Sequence, residues 1–366
     1  MVRLGIAGIG TIAKDYIGLI AGGQVGGVKL TALCSRNRES ARQMDERYGL
    51  NSRIFQDYGE MLRSGLVDGV LICTPHGQHP AMALQAVEAG IHVLVEKPAG
   101  ILEEEVGAVL RALEQRPGLV CGVLYNRRAS RAFRYVKGLV ESGEIGELVR
   151  CTWIITDLYR TNAYYTSGSW RGTWRGEGGG LLMTQASHQL DLMQWICGMP
   201  SSVLARCSSV GRPIQVENEA ELLLAYPGGA HGHFIASAHE CPGTNLLEIC
   251  GTRGRVSVRE DSEVEVVRLR EDERSFARSC TDPFRKVPSD MQTLTFDDSD
   301  NKVQQAATIR NFACAVEGRE KIQCDLTDGL RSLQIIHGAY LSQWKGEEVS
   351  LPAPEKAFRE FLLRQG

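Results

Sequence analysis

The sequence predicts a two-domain α/β protein: a parallel sheet covered on both faces by helices, then an α/β domain built on a large, mostly antiparallel open sheet. Three observations predict it. An apolar strand at residues 4–7 runs into Gly8-x-Gly10-x-x-Ala13 and a helical segment. Apolar strand-like runs then alternate with helical patterns as far as residue 125. Beyond that point short strands follow one another with only turn residues between them. A chain of 366 residues exceeds what one core usually supports, and the expected domains are residues 1–125 and 126–366.

The first run, residues 2–7, ends at a phosphate cradle. Gly8 allows the tight turn, Gly10 lets the backbone approach a pyrophosphate, and Ala13 is small enough for the helix to pack on the strand. The helix begins at Thr11 and Ile12, where free N–H groups and the positive dipole end favour an anion. Runs at 28–34, 67–74, 92–96 and 119–124 complete the sheet. The run at 28–34 leads into Ser35-Arg36-Asn37, where NAD-selecting folds carry an acidic residue for the ribose 2′-hydroxyl. A hydroxyl beside a guanidinium suits a 2′-phosphate, so NADP(H) is expected ahead of NAD(H), with stacking of Arg36 on adenine as the alternative. Thr74-Pro75-His76-Gly77-Gln78-His79 follows the third run. The fourth enters Glu96-Lys97-Pro98, which sets a lysine at the carboxyl end of a parallel strand, where open α/β sheets bind ligands.

The second half reads as strands at 148–156, 202–209, 219–225, 232–238, 245–249, 255–259 and 263–268, with helices at 181–196, 304–317 and 328–343 over one face. The charged stretch 271–300 has few periodic apolar residues and reads as a long loop. Tyr159, Trp170, Arg171 and Trp174 crowd the approach to Gly178-Gly179-Gly180; aromatic faces with nearby donors suit a polyhydroxylated ring, and core or subunit packing is the alternative for each. His231 and His233 alternate along a strand with no carboxylate or cysteine at ligand spacing, so packed or solvated histidines are expected there rather than a metal. A net charge of -3 gives no electrostatic reason for nucleic acid or an anionic membrane as partner. The 11 cysteines contain no CxxC pair and read as reduced thiols. No stretch approaches the ~20 apolar residues of a membrane span, and Gly8 and Gly10 interrupt the N-terminal apolar run, so a cytoplasmic protein is expected.

The order of Gly8-x-Gly10-x-x-Ala13, Thr74-Pro75 with His79, Glu96-Lys97-Pro98, Tyr125-Asn126-Arg127-Arg128 and Gly178-Gly179-Gly180 to His188-x-x-Asp191 resembles the Gfo/Idh/MocA oxidoreductases, with landmarks extending to Asn311-Phe312. The resemblance implies an N-terminal Rossmann domain, a C-terminal α/β domain whose open sheet forms an oligomer interface, and hydride transfer between NAD(P) and a secondary alcohol of a sugar or cyclitol. It implies that Lys97 hydrogen-bonds the reacting oxygen and that His188 is the acid/base. Asn126, Arg127, Tyr159, Trp170, Arg171, Trp174 and Thr184 are expected around the substrate. Gly8, Gly10, Thr11, Ile12, Ser35, Arg36, Thr74, Pro75, His76, His79, Glu96 and Lys97 are expected around the cofactor, with Glu96 supporting Lys97 or the ribose. One position departs from the pattern. Many members carry an acidic residue four positions before the histidine, on the same helix face; here it is Thr184, whose hydroxyl can only hydrogen-bond. The leading expectation is a sugar, glycoside or cyclitol dehydrogenase, a glycoside 3-dehydrogenase among them. A redox-assisted glycosidase with tightly bound NAD and a non-catalytic dinucleotide-sensing regulator are the alternatives; Lys97 and His188 argue against the regulator.

Overall fold

The structure is a computed structural model that describes residues 1–354 and 356–365. Two compact units form, Met1–Ala129 with Asp300–Leu333, and Ser130–Ser299 with residues from Gln334 onward. The first compact unit so defined runs to Ala129 and takes in a late segment, Asp300–Leu333.

In the first unit β1 (Val2–Ala7), α1 (Thr11–Ala21), β2 (Val28–Cys34), α2 (Arg38–Tyr48), β3 (Arg53–Phe55), α3 (Tyr58–Arg63), β4 (Gly69–Ile72), α4 (His79–Glu88), β5 (His92–Val95), α5 (Glu103–Glu114) and β6 (Cys121–Val123) follow in order. They give a six-stranded sheet, β3-β2-β1-β4-β5-β6. Every pairing in it is parallel. Every residue of β4 is buried and β5 is buried beyond His92, as a parallel strand covered on both faces requires. The edge strand β3 spans three residues, too short for a periodicity to announce it.

The second unit contains α6 (Arg131–Glu141), β7 (Leu148–Ile155), α7 (Asn162–Thr166), α8 (Trp174–Glu177), α9 (Leu181–Thr184), α10 (Ser187–Cys197), β8 (Ser202–Ser208), β9 (Glu219–Ala225), β10 (His231–Ser237), β11 (Asn245–Gly251), β12 (Gly254–Arg259), β13 (Glu263–Leu269), α11 (Glu273–Ser279) and β14 (Ser289–Thr295). The chain then forms α12 (Asn301–Val316), α13 (Leu326–Lys345), β15 (Val349–Ser350) and α14 (Ala357–Gln365). A nine-stranded sheet runs β14-β13-β12-β11-β7-β10-β9-β8-β15. Its β7/β10 pair is parallel. The other pairs are antiparallel. Alternation gives it one covered and one open face: Leu222 and Leu224 are buried while Leu223 between them is 50% exposed.

Three expectations need correction. The helix expected at 304–317 forms as α12, but it covers the first unit, its Ile309, Phe312 and Ala313 joining the core of Leu4, Ile6 and Ile17. Residues 271–300 are not one long loop, since they hold α11, capped by the Asp272 carboxylate, and the edge strand β14. That strand is exposed along nearly its whole length, so no buried face imposes an apolar period on it. The single helix expected at 181–196 is two, because Gln185 and Ala186 both donate backbone N–H groups to the Leu181 carbonyl and interrupt the helical ladder.

Candidate active site

The strand-to-helix turn after β1 is built for an anion. Gly8 has φ +89, and a Cβ there would lie 2.9 Å from the Cys73 carbonyl and the Thr74 methyl, so only glycine fits. Gly10 caps α1, and a Cβ on it would meet nothing within 4 Å; the first turn beyond it, with exposed Thr11 and half-buried Ile12, holds no acidic residue. A cavity of about 750 Å³ opens here, lined by Gly8, Gly10, Ser35, Arg36, Asn37, Gln56, Thr74 and Pro75 among others, and no Asp or Glu lines it. An uncapped helix start in an open, carboxylate-free cavity fits the diphosphate of a dinucleotide. Arg36 is exposed at its rim, and Asn37 is spent on capping α2 through Ser40.

Lys97 leaves the same sheet at the end of β5, and its backbone is held on two sides. Its N–H donates to the Glu96 carboxylate at 3.0 Å, and the phenol of Tyr16, on α1, donates to the other oxygen of that carboxylate. Burial pushes the Glu96 pKa up, against the pull of Tyr16 and Lys97. On the other side His79 is fully buried, with Nδ1 2.9 Å from the Pro98 carbonyl and Nε2 2.7 Å from the Thr74 carbonyl. Both ring nitrogens thus face backbone oxygens, and His79 ties the Thr74-Pro75 turn to the Lys97-Pro98 corner. His76 is half-buried, its ring 5.9 Å from that of His79. Asn126 is buried, its amide donating to Asn301 and Gln304, while Arg127 is half-buried.

His188 is the second residue of α10, in the other unit, and is half-buried. Thr184 ends α9 and His188 follows near the start of α10, with the helix break between them. The Thr184 hydroxyl lies 2.7 Å from both the Gly180 carbonyl and Gln185 Oε1. Gln185 in turn donates to the Tyr164 phenol oxygen at 2.8 Å, which also accepts from Arg171 at 2.7 Å. The Arg171 guanidinium sits 4.4 Å from the ring centres of both Tyr164 and Trp170. Arg171, Tyr164 and exposed Trp170 therefore form one platform linked to the junction before His188. Tyr159 is exposed, with Arg212 over its ring. Trp174 is half-buried: its ring packs edge-on against Tyr340 and Phe361, and its indole N–H donates to the Gln215 carbonyl.

The glycine run has a cause that sequence reasoning missed. Buried Glu217 accepts the Gly180 and Leu182 N–H groups at 2.9 Å each, its backbone carbonyl accepts the Leu181 N–H, and Tyr340 donates to it at 2.7 Å. A Cβ on Gly179 would lie 2.3 Å from the Tyr340 hydroxyl, and one on Gly180 would lie 2.0 Å from the Glu217 carbonyl oxygen. Burial raises the Glu217 pKa to about 7 despite these donors. Three glycines in a row before an apolar helix start are the one sequence signal of such a close approach. His231 and His233 lie ring to ring at 5.6 Å, and no group of three metal-ligating side chains occurs among the described residues.

Comparison with known proteins follows the two units. Residues 2–125 match the model of the oxidoreductase family with an NAD-binding Rossmann fold, and residues 133–257 match the GFO/IDH/MocA C-terminal domain. The Bacillus subtilis oxidoreductase YrbE is 26% identical, the alignment covering 96% of this chain and 97% of that one. Inositol 2-dehydrogenase of Salmonella typhimurium is 26% identical over 40% of this chain and 43% of its own. Among solved structures, the WlbA dehydrogenase of Bordetella pertussis in complex with NADH and UDP-GlcNAcA aligns with a TM-score of 0.78 at 26% identity, over 96% of this chain and 99% of that one.

Proposed function

Because this chain belongs to the Gfo/Idh/MocA oxidoreductases, an NAD-binding family, we propose that it moves a hydride between a nicotinamide dinucleotide and a secondary hydroxyl, or the matching ketone, of a sugar, glycoside or cyclitol. The observation that carries this reading is the Lys97 corner, whose backbone is fixed by Glu96 and His79 on the sheet that bears the phosphate cradle. The bound nicotinamide supplies the two-electron acceptor. The Lys97 ammonium donates to the reacting oxygen and stabilises charge as it develops there, and His188 takes the hydroxyl proton during oxidation. Sugar or cyclitol chemistry agrees with the Trp170, Tyr164 and Arg171 platform and with relatives whose names specify inositol and a nucleotide sugar. A glycoside oxidised at carbon 3 is the narrower reading within this class. An absorbance screen of sugars, glycosides and inositols with both cofactors tests the reading: reduced nicotinamide forms with the wild-type protein and a member of this class, and a screen with no turnover overturns it.

NADP(H) is favoured over NAD(H), because the cavity holds Arg36 and no carboxylate to accept the ribose 2′-hydroxyl. Arg36→Ala raises KM for NADP(H) on the order of 10-fold to 100-fold, as loss of a charge-assisted contact predicts, and leaves KM for NAD(H) near its starting value. Steady-state kinetics with both cofactors checks it; equal effects point to adenine stacking.

The open face of the second sheet, with Leu204, Leu223 and Ile235 around a cavity of about 340 Å³, is the surface through which copies of the chain associate. Light scattering reads the assembly: Leu223→Glu shifts it toward monomer, and a monomeric wild-type protein contradicts it. No helix among the described residues is long and apolar enough to cross a membrane; a cytoplasmic site of action is a separate part of the proposal.

A further inference from the structure

We propose that Glu217 is a positioning residue for the reaction, holding the peptide that leads into His188 by clamping three consecutive N–H groups. The proposal rests on the reading of His188 as the acid/base. The carboxylate takes Gly180 N–H on Oε2 and Leu182 N–H on Oε1, both at 2.9 Å, while the Glu217 carbonyl takes Leu181 N–H at 2.9 Å. Tyr340, on α13, donates to Oε1 at 2.7 Å and its own oxygen accepts Gly180 N–H at 3.2 Å. The segment is gripped from its other end as well, since the Gly180 carbonyl lies 2.7 Å from the Thr184 hydroxyl. Every residue of α9 is buried, and so are Ala186 and Ser187 on either side of the junction.

A helix of four residues followed by a break has little rigidity of its own, because nucleation fixes more dihedral angles than the few hydrogen bonds return. Its direction, and the place where α10 starts, is set by what grips it. Glu217 and Tyr340 provide that grip, and Gly179 and Gly180 lack side chains so that both can reach the backbone. A carboxylate therefore anchors the segment that precedes His188 although Thr184 is not acidic. It acts on the chain that presents the imidazole, through backbone N–H groups. A donor or acceptor held within about half an ångström is what proton transfer demands, and a misplacement of about 1 Å costs on the order of 100-fold in rate.

The test compares Glu217→Gln with wild type in the full-length protein. The amide keeps one acceptor and turns an NH₂ group toward a backbone donor, so the clamp opens on one side. The expected result is a kcat lower by on the order of 100-fold, an unchanged dinucleotide Kd, and a larger solvent deuterium isotope effect on kcat, because proton transfer becomes slower relative to other steps. Partial unfolding alone would lower kcat per mole of protein and leave the isotope effect unchanged, and that result overturns the proposal, as does a kcat near wild type. Should Glu217→Gln fail to fold, Tyr340→Phe decides: it removes one donor to Oε1 and is expected to lower kcat and raise the isotope effect in the same sense to a smaller degree, with wild-type values overturning the proposal. His188→Ala, assayed in parallel, separates the two readings, since activity retained there refutes the role of His188 whatever Glu217 does.

Discussion

Lys97→Ala lowers kcat by a factor on the order of 10³ while the dinucleotide still binds, since a single preorganised donor to a developing oxyanion contributes about this much. The substitution removes the ammonium and leaves the backbone bond from residue 97 to Glu96 intact, together with the His79 bridge from Pro98 to Thr74. The phosphate cradle at Gly8 and Gly10 lies on another strand and keeps its geometry. Kd measured by quenching of nicotinamide fluorescence and kcat measured in the same preparation check the separation. A lysine that merely followed a strand would leave kcat unchanged.

Gly180→Ala has the largest expected effect on stability, and Gly10→Ala the largest on cofactor binding with stability preserved. At Gly180 a methyl group lies 2.0 Å from the Glu217 carbonyl oxygen and 2.7 Å from its carboxylate, and the backbone that must retreat is hydrogen-bonded on both sides. Overpacking against backbone costs about 3 kcal/mol, read as a lower Tm. At Gly10 the backbone is extended, with φ -85, and a methyl group meets no protein atom within 4 Å, so Tm is unchanged. That methyl group projects into the space the pyrophosphate needs, and dinucleotide Kd rises by on the order of 100-fold. Calorimetry and titration on both variants check the contrast; a Gly10→Ala protein with wild-type affinity would remove the phosphate from this turn.

The first unit was legible because its signals are local. The runs of β1 and β2 have the bounds expected of them, since apart from Arg3, Lys29 and Thr31 each is continuously apolar, as a parallel strand covered on both faces requires. The glycine spacing after β1 records a turn that lies within a few residues of itself. What the sequence concealed depends on partners far along the chain. The segment of α12 reads as an amphipathic helix wherever it packs, and nothing in Ile309, Phe312 or Ala313 names the core they join. The strand β14 has no buried face and so no period. Thr184 and His188 are four apart, and nothing at Gln185 announces the break between α9 and α10 that falls between them. Glu217 lies 37 residues from Gly180, and only the glycine run marks the place it reaches. Lys97, His79 and His188 were readable from an order of motifs, whereas Tyr16 on Glu96, and Glu217 with Tyr340 on the glycine run, became visible only through contacts.

The proposed reaction moves a hydride from a carbinol carbon of a carbohydrate or cyclitol to a nicotinamide, with net reduction of the dinucleotide. The most direct measurement follows the isotope: the substrate identified by the screen is prepared with deuterium at the oxidised carbon, and the products are read by mass spectrometry. The account predicts one deuterium on the nicotinamide ring of the reduced dinucleotide for each ketone formed, together with a primary isotope effect on kcat/KM in the wild-type protein. Cleavage of a glycoside with no net reduced dinucleotide, or deuterium retained in the sugar product, would contradict it.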